Sequence, residues 1–410
     1  MELSFCNIEE YENEYNSKYE LYNTKCDCGA YYEMQLECVN ITIDNHNIHI
    51  GECPVMICSK CGDKHLCPDI PQDVYSAYFD LIEKGYSDCK LTLKSDNRYQ
   101  YAVEANFIYD SRDMYIPAVA VDLDPTNPKG FSCPVFFKRK VLNNFFTDDD
   151  YELDFFSESY GTIAKLGSDG WQYEWKIVFG INKNDKVVLF LGDLNQIEPT
   201  DPAIYWLKSY NIESDHCIID TELYRGQFEC VFSDPIIEKR IISLRNAFYN
   251  RVKEKYGINL YHLEEEVESK GDELCKPINY SRNEVKENII ILDGVLNEGI
   301  DCEELRNLCR KIVKPLPNNL NQIKTRKLLQ SIIAVKTDDE SAKNIISPLF
   351  YLNDLRICFA HLIPQNEISE YEHRIVEAFG LSNFNEYQVL YDKLINKLYS
   401  LYSFLNLMDI

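Results

Sequence analysis

The hydrophobic pattern changes its period at Pro235, and that change restricts the folds open to this 410-residue chain. From about residue 89 to 235 apolar residues recur at every second position, as on half-buried strands. Beyond Pro235 the spacing becomes helical, beginning with the stripe Ile237, Ile241, Leu244, Phe248 and Val252. One layer cannot satisfy both periods, so the expected class is a multidomain α+β protein ending in an all-α helical bundle.

Local signals place the elements. Strands are expected at 91–94, 101–109, 115–123, 135–142, 173–181 and 187–191, with Asn182-Lys-Asn-Asp185 turning between the last two. A helix is expected at Pro202–Tyr210, then strands near 217–221 and 227–232. In the helical region Ser281-x-x-Glu284 and Asp301-x-x-Glu304 read as capping boxes, and Pro315 and Pro317 stop the second helix. Another helix is expected at about 319–335. Ser347-Pro348 reads as an N-cap with proline in the first turn, opening a helix that ends before Pro364. Asn383-x-x-Glu386 is expected to cap the last helix.

Nine of the sixteen cysteines fall within the first 90 residues. The scattered remainder read as small buried hydrophobes. Within the cluster, Cys26-Asp-Cys28-Gly29 and Cys58-Ser-Lys-Cys61-Gly62 each bring two thiolates to one turn, and four thiolates in tetrahedral array suit Zn2+. Segments 31–39 and 40–50 alternate like two strands of a hairpin, and 71–85 reads as an amphipathic helix leaving it. The arrangement resembles the zinc ribbons of some bacterial antitoxin-type regulators. Because the first knuckle is Cys-x-Cys, Cys38, Cys53, Cys67 and His65 are alternative ligands. A closed four-thiolate site leaves no position for water, so the expected role is structural.

The helix expected at 347–363 contains Leu355-Arg356-Ile-Cys-Phe-Ala-His361-Leu362. RNA carries its own nucleophile, the 2′-hydroxyl, so cleavage without a metal needs a proton acceptor and a cation on the phosphate. Histidine titrates near neutrality and arginine stays charged, so the pair suits those tasks. Five helical residues advance about 500°, leaving the two side chains about 140° apart around one straight helix. Here the sequence resembles the HEPN superfamily of helical ribonucleases, whose motif is Arg-x4-His, over roughly 281–410. The residue after the arginine, often polar in that family, is Ile357. The resemblance implies Arg356 and His361 as catalytic residues, a site at a homodimer or higher oligomer interface, and no catalytic metal. It further implies a defence, abortive-infection or toxin effector that cuts cellular RNA such as tRNA, with a phage-derived trigger.

Charge is unevenly distributed. The chain has 42 Lys+Arg against 67 Asp+Glu, a net charge of −25, which argues against general coating of nucleic acid. Yet Arg306, Arg310, Lys311, Lys314, Lys324, Arg326, Lys327 and Lys336 lie in a stretch without Asp or Glu. Residues 1–90 hold 6 Lys and 17 Asp+Glu. A basic island confined to the nuclease-like region is the expected RNA-binding surface, the first seven of its residues being the candidate contacts.

The expected organisation is an acidic arm at 1–24, the ribbon at 25–70, and a strand-rich sensor or scaffold at 71–235. A connecting helix and linker at 236–280 then lead to the helical domain at 281–410. A second candidate site, for a divalent metal, is the acid- and histidine-rich run Glu213, Asp215, His216, Asp220, Glu222 and Glu229 after Asp193. No leader-like N-terminus and no membrane-length apolar run is visible, so the expectation is a soluble cytoplasmic protein. The main competing reading is a non-catalytic regulator whose ribbon binds a partner while its bundle dimerises.

Overall fold

In the computed structural model, residues 1–16, 24–93, 106–119, 130–168, 172–317 and 319–408 are described. They form two compact units, Met1–Asp234 and Pro235–Ile410. The class is mixed α+β, with a four-cysteine cluster near the N-terminus, sheets in the first unit and helices in the second.

The first unit opens with β1 (Glu2–Phe5) and α1 (Ile8–Asn16). A long hairpin follows, β2 (Tyr32–Ile43) and β3 (His46–Cys58), with β4 (Lys64–Leu66), α2 (Ile70–Lys84) and β5 (Asp88–Leu91). The strands pair in the order β1-β2-β3-β4, and β5 runs parallel to β3. The hairpin turns later than its alternation indicates, at Asp44-Asn45 and not at 39/40. Val39, Ile41 and Ile43 keep the buried parity, and Asp44 and Asn45 both adopt positive φ, which these residue types tolerate.

The second sheet comprises β6 (Pro134–Lys138), β7 (Tyr151–Phe155), β8 (Tyr160–Leu166), β9 (Tyr173–Ile181), β10 (Lys186–Phe190) and β11 (Asn211–Ile212), in the order β11-β6-β10-β9-β8-β7. The strand at β9 matches its expectation, and Asn182 makes the following turn by accepting N–H groups of Asn184 and Lys186, each at 3.0 Å. The strand expected at 135–142 stops at Lys138, because Val141, Leu142 and Phe145 bury themselves at helical spacing at and within α3 (Leu142–Thr147). After α4 (Leu191–Leu194), helix α5 (Pro202–Tyr210) begins at the Asp201 cap as expected. The strands expected near 217–221 and 227–232 are absent. Thr221 accepts the Tyr224 N–H and caps α6 (Glu222–Phe228), which buries Leu223 and Tyr224. Residues 111–115 form a 3-10 turn and 116–119 continue as bend and turn, so no strand forms in the described part of the 115–123 expectation, nor at 106–109; residues 120–123 and 101–105 lie outside the described residues. Both sheets contribute to one core, in which Met34, Ile41 and Val55 join Phe136, Val188 and Tyr224.

The second unit contains α7 (Ile237–Tyr256), α8 (Glu264–Asp272), α9 (Arg282–Asp293), α10 (Cys302–Ile312), α11 (Thr325–Ile333), α12 (Asp339–Ala360), α13 (Gln365–Phe379) and α14 (Tyr387–Leu407). Helix α12 packs against α9, α11, α13 and α14, burying Leu349, Leu352 and Leu355 at the centre of the unit. The Ser281/Glu284 capping box forms, whereas Asp301 caps α10 through the N–H groups of Glu303 and Glu304.

Three boundaries differ from expectation. Pro348 lies inside α12, which starts at the Asp338 cap. Its missing N–H leaves the Asn344 carbonyl without its helical donor, and the Ser347 hydroxyl donates to that carbonyl at 2.8 Å. Lys324 is extended, so the helix expected at 319–335 divides into a 3-10 turn and α11. Glu386, not Asn383, precedes α14, and its carboxylate gathers the Ser382 and Asn383 N–H groups. Among the described residues no helix is long and apolar enough to cross a membrane.

Candidate metal centre and candidate active site

The hairpin brings together two cysteine pairs thirty residues apart in sequence. Tyr32 at the start of β2 pairs with Cys58 at the end of β3, so the turn carrying Cys26 and Cys28 faces the one carrying Cys58 and Cys61. Their four sulfurs all lie within 4.8 Å of one another, with Cys26–Cys61 at 3.4 Å and Cys28–Cys58 at 3.5 Å. Tetrahedral zinc with Zn–S bonds of about 2.3 Å needs sulfurs about 3.8 Å apart, so this donor set fits the ion.

The local backbone favours thiolate at one position. The N–H groups of Cys61 and Lys60 point at Cys58 Sγ from 3.5 and 3.4 Å, and such donors help hold its pKa down at about 6. Gly29 and Gly62 follow the knuckles with φ of 83° and 75°, the left-handed turn that lets each chain double back. None of the alternative ligands joins the set. Cys38 donates to the Gly51 carbonyl, Cys53 and Cys67 are buried, and His65 meets Tyr32 and Asp63.

In the second unit, Arg356 lies near the end of α12 and His361 just past it. Arg356 Nη1 is 3.1 Å from Asp293 Oδ2 and 2.8 Å from Glu298 Oε1. Asp293 closes α9, and the chain continues as a π-helical turn over Gly294–Glu298, which places Asn297 and Glu298 beside it. Asn297 donates to Asp293 Oδ1 at 2.5 Å and to the Leu349 carbonyl at 3.2 Å, tying this turn to α12. Burial raises the Asp293 pKa, and the Asn297 hydrogen bond and the Arg356 charge oppose that rise.

His361 leaves the helical direction at φ −100°, ψ 141°, while its N–H still donates to the Ile357 carbonyl. Its side chain is exposed, and no hydrogen bond joins it to Arg356. The angular separation of a continuous helix therefore does not govern this pair.

The basic candidates divide into two sets. In α10, Arg306 is engaged by Glu303 and the Ile323 carbonyl, and Arg310 by Asn307 and Asn321. Lys311 donates to the Tyr256 carbonyl, and Lys314 is exposed in the following loop. Around the start of α11, Lys324 is exposed, while Arg326 and Lys327 lie over the Phe350 ring at 5.1 and 5.4 Å. Arg326 also acts electrostatically on Asp293, the carboxylate that holds Arg356, and on Asp354. Asp293, Asn297, Glu298 and the Asp354–Arg374 pair at 3.5 Å are additions that sequence spacing did not single out. The available signal was Asp293 standing among buried Leu292, Val295 and Leu296.

The acidic run of the first unit disperses. Asp215 binds Asn182, Asn184 and Lys186; His216 Nδ1 meets Asp113 at 2.6 Å; Glu222 accepts from Ser157 and Ser159. Among the described residues, the four-cysteine set is the group of His, Cys, Asp or Glu close enough to hold an ion. Comparison with protein-family models, curated proteins and solved structures found no match for this chain.

Proposed function

We propose that the chain is a metal-independent RNA endonuclease of the HEPN type, with its site on the second unit and structural zinc in the first. The observation that supports this reading is an arginine near the end of α12 held by a buried carboxylate, with an exposed histidine just past the end of the same helix. Arg356 would neutralise the scissile phosphate as negative charge builds on its oxygens. His361 would accept the 2′-hydroxyl proton as that oxygen attacks phosphorus. A second copy would supply the opposite wall of the cleft, giving paired Arg356/His361 sets in a homodimer. Lys324, Arg326 and Lys327 would carry the flanking RNA backbone. A cytoplasmic defence or toxin role, with tRNA among the targets, rests on the family resemblance alone.

The test is RNA cleavage by purified protein in EDTA, compared with His361→Ala. Loss of cleavage in a folded variant supports the assignment, and equal cleavage by both proteins refutes it. The competing reading is a zinc-dependent regulator without catalysis. It is favoured by the two carboxylates that already balance the Arg356 charge, and it predicts no RNA cleavage by either protein.

A further inference from the structure

Arg356 meets two carboxylates of contrasting accessibility. The Asp293 side chain is 1% exposed and that of Glu298 is 60% exposed, yet both approach Nη1 of an arginine that is itself 30% exposed. Asp293 is also held by Asn297, so this partner is anchored. Glu298 ends the π-helical turn, and its backbone is fixed by the residue that follows. The Gly299 N–H donates to the Gly294 carbonyl at 2.8 Å, and a Cβ at Gly299 would fall 2.6 Å from the Val295 carbonyl oxygen. The backbone position is therefore set while the carboxylate end stands in solvent.

A carboxylate and a phosphodiester offer a guanidinium the same thing, a pair of anionic oxygens. We propose that Glu298 occupies the anion position on Arg356 in the free protein and yields it to a phosphodiester of the substrate, while Asp293 keeps the guanidinium in place. This rests on the ribonuclease reading. Charge count favours exchange over simple addition. Arg356, Asp293 and Glu298 sum to −1; replacing Glu298 by a phosphodiester preserves that value, whereas adding one beside it gives −2. Exposed ion pairs contribute little to stability, so opening this contact costs the fold little. Glu298 is thus a positioning and gating residue, and it takes no part in proton transfer.

The experiment uses the full chain and an arginine-selective reagent, phenylglyoxal, with modification at Arg356 read by peptide mass spectrometry. The probe is a short RNA with every 2′-hydroxyl methylated, which presents phosphodiesters but cannot be cut. Glu298→Gln is expected to raise the Arg356 modification rate about two- to fivefold, as removal of a partly exposed ion pair should. The methylated RNA should protect Arg356 at lower concentration in Glu298→Gln than in the native chain. Glu298→Asp, which keeps the charge, should restore slow modification at least in part. Unchanged Arg356 reactivity in folded Glu298→Gln overturns the gate, as does an increase without stronger protection by the RNA. Faster modification with stronger protection supports it, and if unmethylated RNA then remains uncut by every variant, the gate stands and the nuclease reading falls.

Discussion

Asp293 and Arg356, 63 residues apart in sequence, meet at 3.1 Å with the aspartate side chain almost wholly buried. The pair joins the end of α9 to α12, the helix at the centre of the second unit. It therefore bears on stability as well as on the proposed site. Asp293→Asn preserves shape but removes the charge, leaving the partly exposed guanidinium to Glu298. Burial outweighs the Arg356 and Asn297 interactions at this carboxyl, so its charge is held at a net cost and Asp293→Asn should be neutral or stabilising by about 1 kcal/mol at neutral pH. Chemical denaturation followed by helical circular dichroism checks it, and a clear loss of stability would mean that the Arg356 pair outweighs the burial of the carboxylate.

The four cysteines lead to a metal prediction. Purified under reducing conditions, the chain should carry one zinc, and Cys58→Ser should lower that occupancy sharply. The hairpin bearing the site shares its core with the second sheet, so losing the ion should lower the melting temperature of the first unit as a whole. Elemental analysis and thermal unfolding with a strong chelator check both statements.

Burial pushes the Asp193 carboxyl up to about 6. Its folded value lies above the unfolded one of about 3.9, so the folded state binds more protons between those values and stability falls as pH rises through them. The penalty is complete above about pH 6 and relieved near pH 4. Asp193→Asn should therefore stabilise the first unit by about 1–3 kcal/mol at pH 8 and by little near pH 4. Trp175 and Trp206 belong to that unit, and the sequence has no tryptophan after Trp206, so tryptophan fluorescence during urea unfolding reads the first unit.

Arg245 is fully buried in α7, over the rings of Tyr249 at 4.8 Å and Tyr261 at 5.2 Å. Its Nε, Nη1 and Nη2 have no hydrogen-bond partner among the described residues. Ring contacts offset only part of the cost of burying a charge. Arg245→Met, similar in length and apolar, should be neutral or stabilising by about 1–3 kcal/mol. A marked loss of stability in urea unfolding would show that the cation holds this packing together.

Much of the helical unit was legible because its signals are local. Ser281 and Glu284 cap α9 within one turn, and Asp201-Pro202 starts α5 by the same short-range logic. Pro348 misled for the opposite reason. Whether a proline starts a helix or is absorbed within one depended here on Ser347 supplying the missing hydrogen bond and on packing around α12. The strands expected at 217–221 and 227–232 failed similarly, since Thr221 capped a helix whose apolar side the core could bury.

By itself the sequence determined the change from strand to helical period, the two cysteine knuckles and the presence of Arg356 and His361 near one helix end. These depend on residue type and near neighbours. Only tertiary structure decided that Cys26, Cys28, Cys58 and Cys61 converge while Cys38, Cys53 and Cys67 do not, because hairpin register sets which turns face each other. It likewise decided that Arg356 meets Asp293 and Glu298, and that His361 stands beyond the helix. Such contacts arise when distant segments bury a shared core, and spacing within one segment carries no record of the partner it will meet.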